Sequence, residues 1–306
     1  MCGEMNRLGV SLLLVFAWVW ASALPASAQM SSVKKVFVIV MENHNWSTIL
    51  KDPTTTYIKG LLPKASYAKQ YFTPPGNHPS EPNYLWIESG LRLSKTDSPP
   101  SKDHHLANVP HLTALLDAAG KPWKSYQEDI DGKTCPLANI KNYVPKHNPF
   151  VFFDDVNEGL KKDSAKCISH VRPLGELAPD LVANHVADYN FITPNLCHDM
   201  HNDCGKLKIR SGDEWLRQYV PVILASQAYR EGALFITWDE GDEFLLFAKD
   251  GPVGLILLSP FAKGDGYSNT RHYTHSSLLK TLQDIFAVQP YLGDAAKAEN
   301  LSDLFR

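Results

Sequence analysis

No stretch of this chain is strongly basic, and it contains no internal repeat and no low-complexity tract. With 30 Lys and Arg against 33 Asp and Glu, the formal net charge is -3, which points away from nucleic acid and toward a small-molecule partner. Long apolar runs are also scarce. The longest, Leu8 to Ala23, follows Arg7, is broken by Gly9, Ser11 and Ser22, and is short for a membrane span. Ala26-Ser27-Ala28 then gives the small-x-small pattern of a signal peptidase site. Residues 1–28 are therefore expected to be a signal peptide, cut before Gln29, with no stable membrane anchor left behind. The remainder, 29–306, is expected to be one secreted or periplasmic domain.

Cysteine is rare, five in 306 residues, and no C-x-x-C occurs, which weakens a cysteine-rich zinc site. Without Cys2, four remain in an oxidising compartment: Cys135, Cys167, Cys197 and Cys204. Four cysteines allow three connectivities, and local closure favours Cys197–Cys204 with Cys135–Cys167. Two catalytic signatures are missing as well. Ser80 lies in P-S-E-P, not G-x-S-x-G, so there is no nucleophile elbow, and no Walker-type phosphate loop is found.

What is present begins with K-V-F-V-I-V-M, Lys35 to Met41, a short apolar run that suits a strand buried on both faces. Further strands are expected at Ser66–Phe72, Trp123–Gln127, Tyr189–Thr193, Ala233–Trp238 and Val253–Leu258. Helices are expected at Glu81–Ser89 with Ser80 as N-cap, at Pro110–Ala119, at Asp213–Arg230 and at Thr274–Phe286. Strands alternating with helices indicate an α/β fold, a doubly wound and mostly parallel sheet. Residues 129–170, rich in Pro, Asn, Asp and Lys, read as a disulfide-pinned excursion that could shape a pocket mouth.

Polar groups follow the strands. Glu42-Asn43-His44 end the first. Ser80 follows a loop carrying Asn77 and His78. After Thr193 come His198, Asp199, His201 and Asp203, and after Trp238 come Asp239, Glu240, Asp242 and Glu243. His272 and His275 precede the last helix. Each piece has an ordinary explanation: Ser80 as a helix cap, His201 as a surface histidine, Asp239-Glu240 as a solvated acidic turn. Their coincidence matters, because strand ends on one edge of a parallel sheet converge in space. Converging carboxylates repel unless a divalent cation lies between them. Glu42, Asn43, Ser80, Asp239 and Glu240 offer oxygen, which suits a hard cation, whereas histidine participation would admit zinc or iron. Ser80 at a helix N-terminus is then a candidate nucleophile toward phosphorus. Asn77, His78 and His198 are candidate phosphate donors, and a histidine would protonate the leaving alcohol.

The ordered motifs V-I-V-M-E-N-H, N-H-P-S-E-P-N-Y, F-I-T-P-N-L-C-H-D-M-H-N, G-D-E-W-L, I-T-W-D-E-G-D and H-Y-T-H-S-S-L-L-K-T resemble the phosphoesterase family of bacterial phospholipases C and acid phosphatases, within the alkaline phosphatase superfamily. The resemblance runs from Val36 to Phe286. It implies Glu42, Asn43, Asp239 and Glu240 as metal ligands and Ser80 as nucleophile. It also implies His198, His201 and His275 as catalytic residues that hold a second metal or contact phosphate. One divalent ion or two are expected, of unassigned identity. A serine in place of the threonine of the phospholipase C branch, and a chain that ends soon after the last helix, favour the acid phosphatase branch. The loop departs from many relatives at His198 and Asn202. The expected activity is thus a secreted, metal-dependent phosphomonoesterase acting on small phosphate esters through a phosphoseryl intermediate. The alternatives are a phospholipase C-type diesterase acting on phospholipid, and an exported metal- or ligand-binding protein without turnover. Tyr84, Trp86, Phe150, Phe152 and Phe153 would serve lipid contact in the first alternative, and core packing otherwise.

Overall fold

The computed structural model describes residues 1, 29–242 and 250–306. Residues 2–28 of the expected signal peptide and Glu243 lie outside the described residues. The apolar run forms β1 (Lys35–Met41), whose residues from Val36 onward are all buried. Nine further strands follow: β2 (Ser66–Ala68), β3 (Tyr71–Phe72), β4 (Trp123–Gln127), β5 (Val171–Pro173), β6 (Tyr189–Thr193), β7 (Gly232–Trp238), β8 (Leu255–Leu258), β9 (Ser268–Asn269) and β10 (Tyr273–Thr274). Eight form one sheet in the order β5-β4-β6-β1-β7-β8-β2-β9, and β10 pairs with β3. From β5 to β7 the strands are parallel, whereas β8 runs antiparallel to both β7 and β2. β1 lies at the centre, with Val38 level with Phe191 of β6 and Phe235 of β7.

The principal helices are α1 (Trp46–Lys51), α2 (Thr56–Leu61), α3 (Ser80–Ser89), α4 (Leu112–Ala118), α5 (Leu177–Ala183), α6 (Lys208–Ala225) and α7 (His275–Phe286). They cover both faces. Tyr189 and Phe191 share one face by the period-two rule, and they meet Phe286 of α7 and Tyr84 of α3 through edge-to-face rings. Met41 points to the other face, where it crowds Gly212 of α6. A Cβ at Gly212 would press on the Met41 methyl and on Met200, so the missing side chain lets α6 pack here without displacing either methionine.

Several boundaries differ from the sequence reading. Ser80 is the first helical residue rather than the cap, because Pro79 takes the extended cap position. α4 starts at Leu112, after Pro110. α6 starts earlier, at Lys208, and continues through Pro221 to Ala225. The extended piece Ser66–Phe72 is split between the two sheets. Both disulfides form as local closure favoured, Cys135–Cys167 and Cys197–Cys204, each with Cα atoms 5.4 Å apart. The first pins the excursion, whose Phe150, Phe152 and Phe153 are fully buried. Those rings, with Tyr84, are core, and Trp86 is half-buried, its indole N–H donating to Ser276 Oγ at 2.8 Å.

Candidate active site

The parallel register places Met41 beside Trp238, so the residues that follow each strand emerge together. The Asp239 N–H donates to Met41 O at 3.0 Å, and the Glu42 N–H donates to Asp199 O, beyond β6, at 2.8 Å. Asn43 then turns with φ +49°, in the left-handed region that asparagine tolerates, and its N–H donates to Asp239 Oδ1 at 3.0 Å. Two strand ends are thereby stitched to each other.

The Glu42 carboxyl is buried at the centre. Its Oε2 accepts from Ser80 Oγ at 3.0 Å and from Asn43 Nδ2 at 2.6 Å. Its Oε1 lies 2.8 Å from His147 Nε2. Burial pushes the Glu42 pKa up to about 7, opposed by the positive charge of Lys146. Asp239 is pushed well above the carboxylate range by burial and then by the charge of Glu42. Glu240 rises to about 7, chiefly by burial and the charge of Asp239. Ser80 Oγ lies 3.4 Å from Glu240 Oε1, and Asn83 Nδ2, one turn along α3, donates to Glu240 Oε2 at 3.1 Å. The hydroxyl of Ser80 thus stands between two buried carboxyls at the start of a helix.

Asn77 and His78 join this group. Asn77 Nδ2 donates to Asn83 Oδ1 at 2.8 Å, and Asn77 Oδ1 is buried without a partner among the described residues. His78 bridges Glu240 and Asp250 with 2.6 Å contacts from its two ring nitrogens. Those hydrogen bonds, Asp250 first, raise its pKa to about 10 and keep the ring cationic.

The other three histidines are placed differently. His275 was expected to touch phosphate or metal, but it lies beneath Asp239, fully buried. Its Nε2–H donates to Asp239 O at 2.6 Å, which fixes Nδ1 as the acceptor from Tyr71 Oη at 3.0 Å. Both nitrogens are committed, and burial lowers its pKa to about 4, so the ring stays neutral. His198 turns to Glu128, with Nδ1 2.9 Å from Oε1, and its pKa is raised by that hydrogen bond. No contact joins His198 to Ser80 among the described residues. His201 bonds Asn202 Oδ1 at 2.7 Å, and its ring lies 6.1 Å from that of His147.

His147 is the residue that sequence reasoning missed. It belongs to a 3-10 turn of the excursion, Pro145–His147, and it stacks on Tyr84 at 4.9 Å. One nitrogen faces Glu42, and the other lies 3.2 Å from Asp199 Oδ2. Burial lowers its pKa. Nothing in K-H-N-P marks it, because it follows no strand and belongs to no periodic segment.

Among the described residues, no group of three or more His, Cys, Asp or Glu stands assembled as a metal cage. The donor chemistry nevertheless fits a hard cation. Glu42, Asp239 and Glu240 are buried together with Ser80 Oγ, and among the described residues Asp239 Oδ2 has no hydrogen-bond partner.

The pattern that describes the phosphoesterase family matches residues 48–289. The chain is 25% identical over 292 residues to the phosphatidylinositol-3-phosphatase of Mycobacterium tuberculosis, covering 94% of this chain and 89% of that one. It is 27% identical over 279 residues to a probable acid phosphatase of Kluyveromyces lactis, covering 86% of this chain but 60% of that longer protein. Its fold matches a protein of the alkaline phosphatase superfamily from Vibrio parahaemolyticus with a TM-score of 0.59 at 9% identity, over 85% of this chain and 67% of that one.

Proposed function

The chain belongs to the phosphoesterase family and is a phosphoric ester hydrolase, and from that premise we propose that it is a metal-dependent phosphomonoesterase that works through a phosphoseryl intermediate on Ser80. The observation that carries this reading is the Ser80 hydroxyl, at the start of α3, donating to buried Glu42 beside Glu240. A serine in an ordinary cap does not face two buried carboxyls.

Glu42, Asn43, Asp239, Glu240 and Ser80 Oγ would hold a divalent cation, which when bound favours the alkoxide of Ser80 and offsets phosphoryl charge. Ser80 Oγ attacks phosphorus, the P–O bond to the alcohol breaks, and the leaving oxygen takes up a proton. Water then attacks the phosphoseryl group and frees Ser80 and inorganic phosphate. His78, held cationic between Glu240 and Asp250 with both N–H groups committed, supports a role in offsetting phosphoryl charge without donating to it. Of the three other candidate histidines, His201 borders the His147–Glu42 pair and is the better candidate for proton transfer. The two disulfides support an exported protein.

The Mycobacterium tuberculosis relative is named for a phosphoinositide monoester, so a lipid headgroup monoester is a substrate class compatible with this chemistry. The phospholipase C reading loses support, because Tyr84, Phe150, Phe152 and Phe153 are core rather than a lipid-facing surface.

The test is hydrolysis of p-nitrophenyl phosphate and p-nitrophenylphosphorylcholine by wild type and Ser80→Ala, with and without chelator. Chelator-sensitive monoester cleavage that vanishes in Ser80→Ala is the expected result. Preference for the choline diester would replace the phosphatase reading with a diesterase. Undiminished turnover by Ser80→Ala would remove the phosphoseryl mechanism.

A further inference from the structure

Lys146, whose charge opposes the rise of the Glu42 pKa, has no part in the chemistry proposed for Ser80. Lys146 precedes His147 in the same 3-10 turn, and while His147 Nε2 lies 2.8 Å from Glu42, the Lys146 ammonium is linked to the start of α3 through Asp97. Its side chain is 13% exposed, and among the described residues its Nζ has one partner, Asp97 Oδ2 at 2.9 Å. The other carboxylate oxygen of Asp97, Oδ1, accepts the N–H of Glu81 at 3.0 Å. Glu81 is the residue after Ser80. Asp97 therefore ties Lys146 to the first turn of the helix that carries the nucleophile.

A single ion pair does not explain the lysine. Burial disfavours the ammonium, yet the charges of Glu42, Asp97 and Asp239 outweigh it and raise the pKa of Lys146 above its ordinary value. Lys146 is thus held as the ammonium, linked to the first turn of α3 through Asp97. An ammonium has three N–H donors, and Asp97 occupies one. A monoester brings two negative charges to the site, a diester only one.

We propose that Lys146 is a substrate-binding and specificity-determining residue, whose ammonium takes a non-bridging phosphoryl oxygen of a phosphomonoester dianion, with Asp97 as the residue that positions it. The inference rests on the phosphomonoesterase reading above and deepens it: the second charge of the monoester is met by this lysine. A diester, lacking that charge, gains less from it. Lysine acts here as a point charge on a flexible stem, so the tether to Asp97 matters for its placement.

The test compares wild type, Lys146→Met, Lys146→Arg and Asp97→Asn on p-nitrophenyl phosphate and on bis(p-nitrophenyl) phosphate, at saturating divalent cation. Inhibition by inorganic phosphate and thermal midpoints are recorded for each. Lys146→Met should lower kcat/KM for the monoester by ~100-fold, the scale of losing one donor to developing charge. Its loss on the diester should be less than ~5-fold, because the smaller ground-state charge leaves less to neutralise. Lys146→Arg should recover most of the monoester rate. Asp97→Asn should lie between, with phosphate inhibition weakened in the same order. Equal losses on the two substrates, or none on the monoester, would overturn the proposal. A thermal midpoint that falls together with both activities would make Lys146 a purely structural ion-pair partner, which also overturns it. Failure of the phosphomonoesterase reading is seen separately, as retained turnover in Ser80→Ala or as diester preference in the wild type.

Discussion

Glu88 tests the electrostatics of the interior away from the proposed metal ligands. It lies near the end of α3, fully buried, with Oε1 accepting from Tyr189 Oη at 3.0 Å and Oε2 from the Thr113 N–H at 3.3 Å. Burial raises its pKa from 4.5 to about 7, against the opposing hydrogen bonds of Tyr189 and Thr113. A folded pKa above the unfolded one means that the folded protein holds the proton more tightly. The contribution is fully present below pH 4.5 and is lost as pH rises through about 7. A shift of that size is worth about 3 kcal/mol. Glu88→Gln keeps the shape: its carbonyl oxygen can accept from Thr113 while its amide N–H donates to the Tyr189 oxygen. Because glutamine does not titrate, the variant should gain about 3 kcal/mol relative to wild type between pH 4.5 and about 8.5. Urea unfolding midpoints, measured for both proteins at steps across that range, give the difference directly. Every other group titrates in both proteins and cancels. Parallel pH profiles, or a variant that loses ground as pH rises, would refute the argument that burial dominates at Glu88.

His147→Ala removes the group between the buried carboxyls of Glu42 and Asp199 and leaves both without that partner, which should cost ~2 kcal/mol in urea unfolding. The same variant should lose roughly 10–100-fold in activity, measured as kcat/KM on p-nitrophenyl phosphate, the usual cost of losing a partner that orients a metal ligand. Replacing Cys135 and Cys167 by serine opens a loop spanning 32 residues and should cost about 4 kcal/mol by the loop-entropy account. Lys146 and His147 lie within that loop, so activity should be lost at lower urea than in wild type, whereas unchanged activity profiles would refute the coupling. If Glu42, Asp239 and Glu240 hold a divalent cation, chelation should abolish turnover and re-addition should restore it. Calorimetry should then show a loss of about 4 kcal/mol relative to protein holding the cation a thousandfold above its dissociation constant.

Much of the site was legible because of where its residues fall in the chain. Glu42 and Asp239 each follow an unmistakable apolar strand, and parallel strands must end on one edge, so their convergence could be expected before any coordinates. Ser80 announced itself through a proline-rich loop opening onto a helix, although Pro79 takes the cap that Ser80 was expected to supply. The phosphoesterase family was legible from the same motifs. His275 misled because a histidine in a polar motif reads alike whether it faces substrate or the underside of a strand end. Burial and the two bonds to Asp239 O and Tyr71 Oη decide that it is the second.

The long apolar strands, the longer amphipathic helices, the Cys197–Cys204 closure and the polar residues at the strand ends were written into the sequence, because each depends on neighbours a few residues away or on a fixed period of 2 or 3.6. Tertiary structure alone decided which of those polar residues meet. It reversed β8 within the sheet, turned His198 to Glu128, tied Lys146 to Asp97, and carried His147 from an irregular excursion to Glu42, more than a hundred residues earlier. Contacts of that span have no local signature: they arise when the disulfide, the aromatic packing of Phe150, Phe152 and Phe153, and the sheet register are satisfied together.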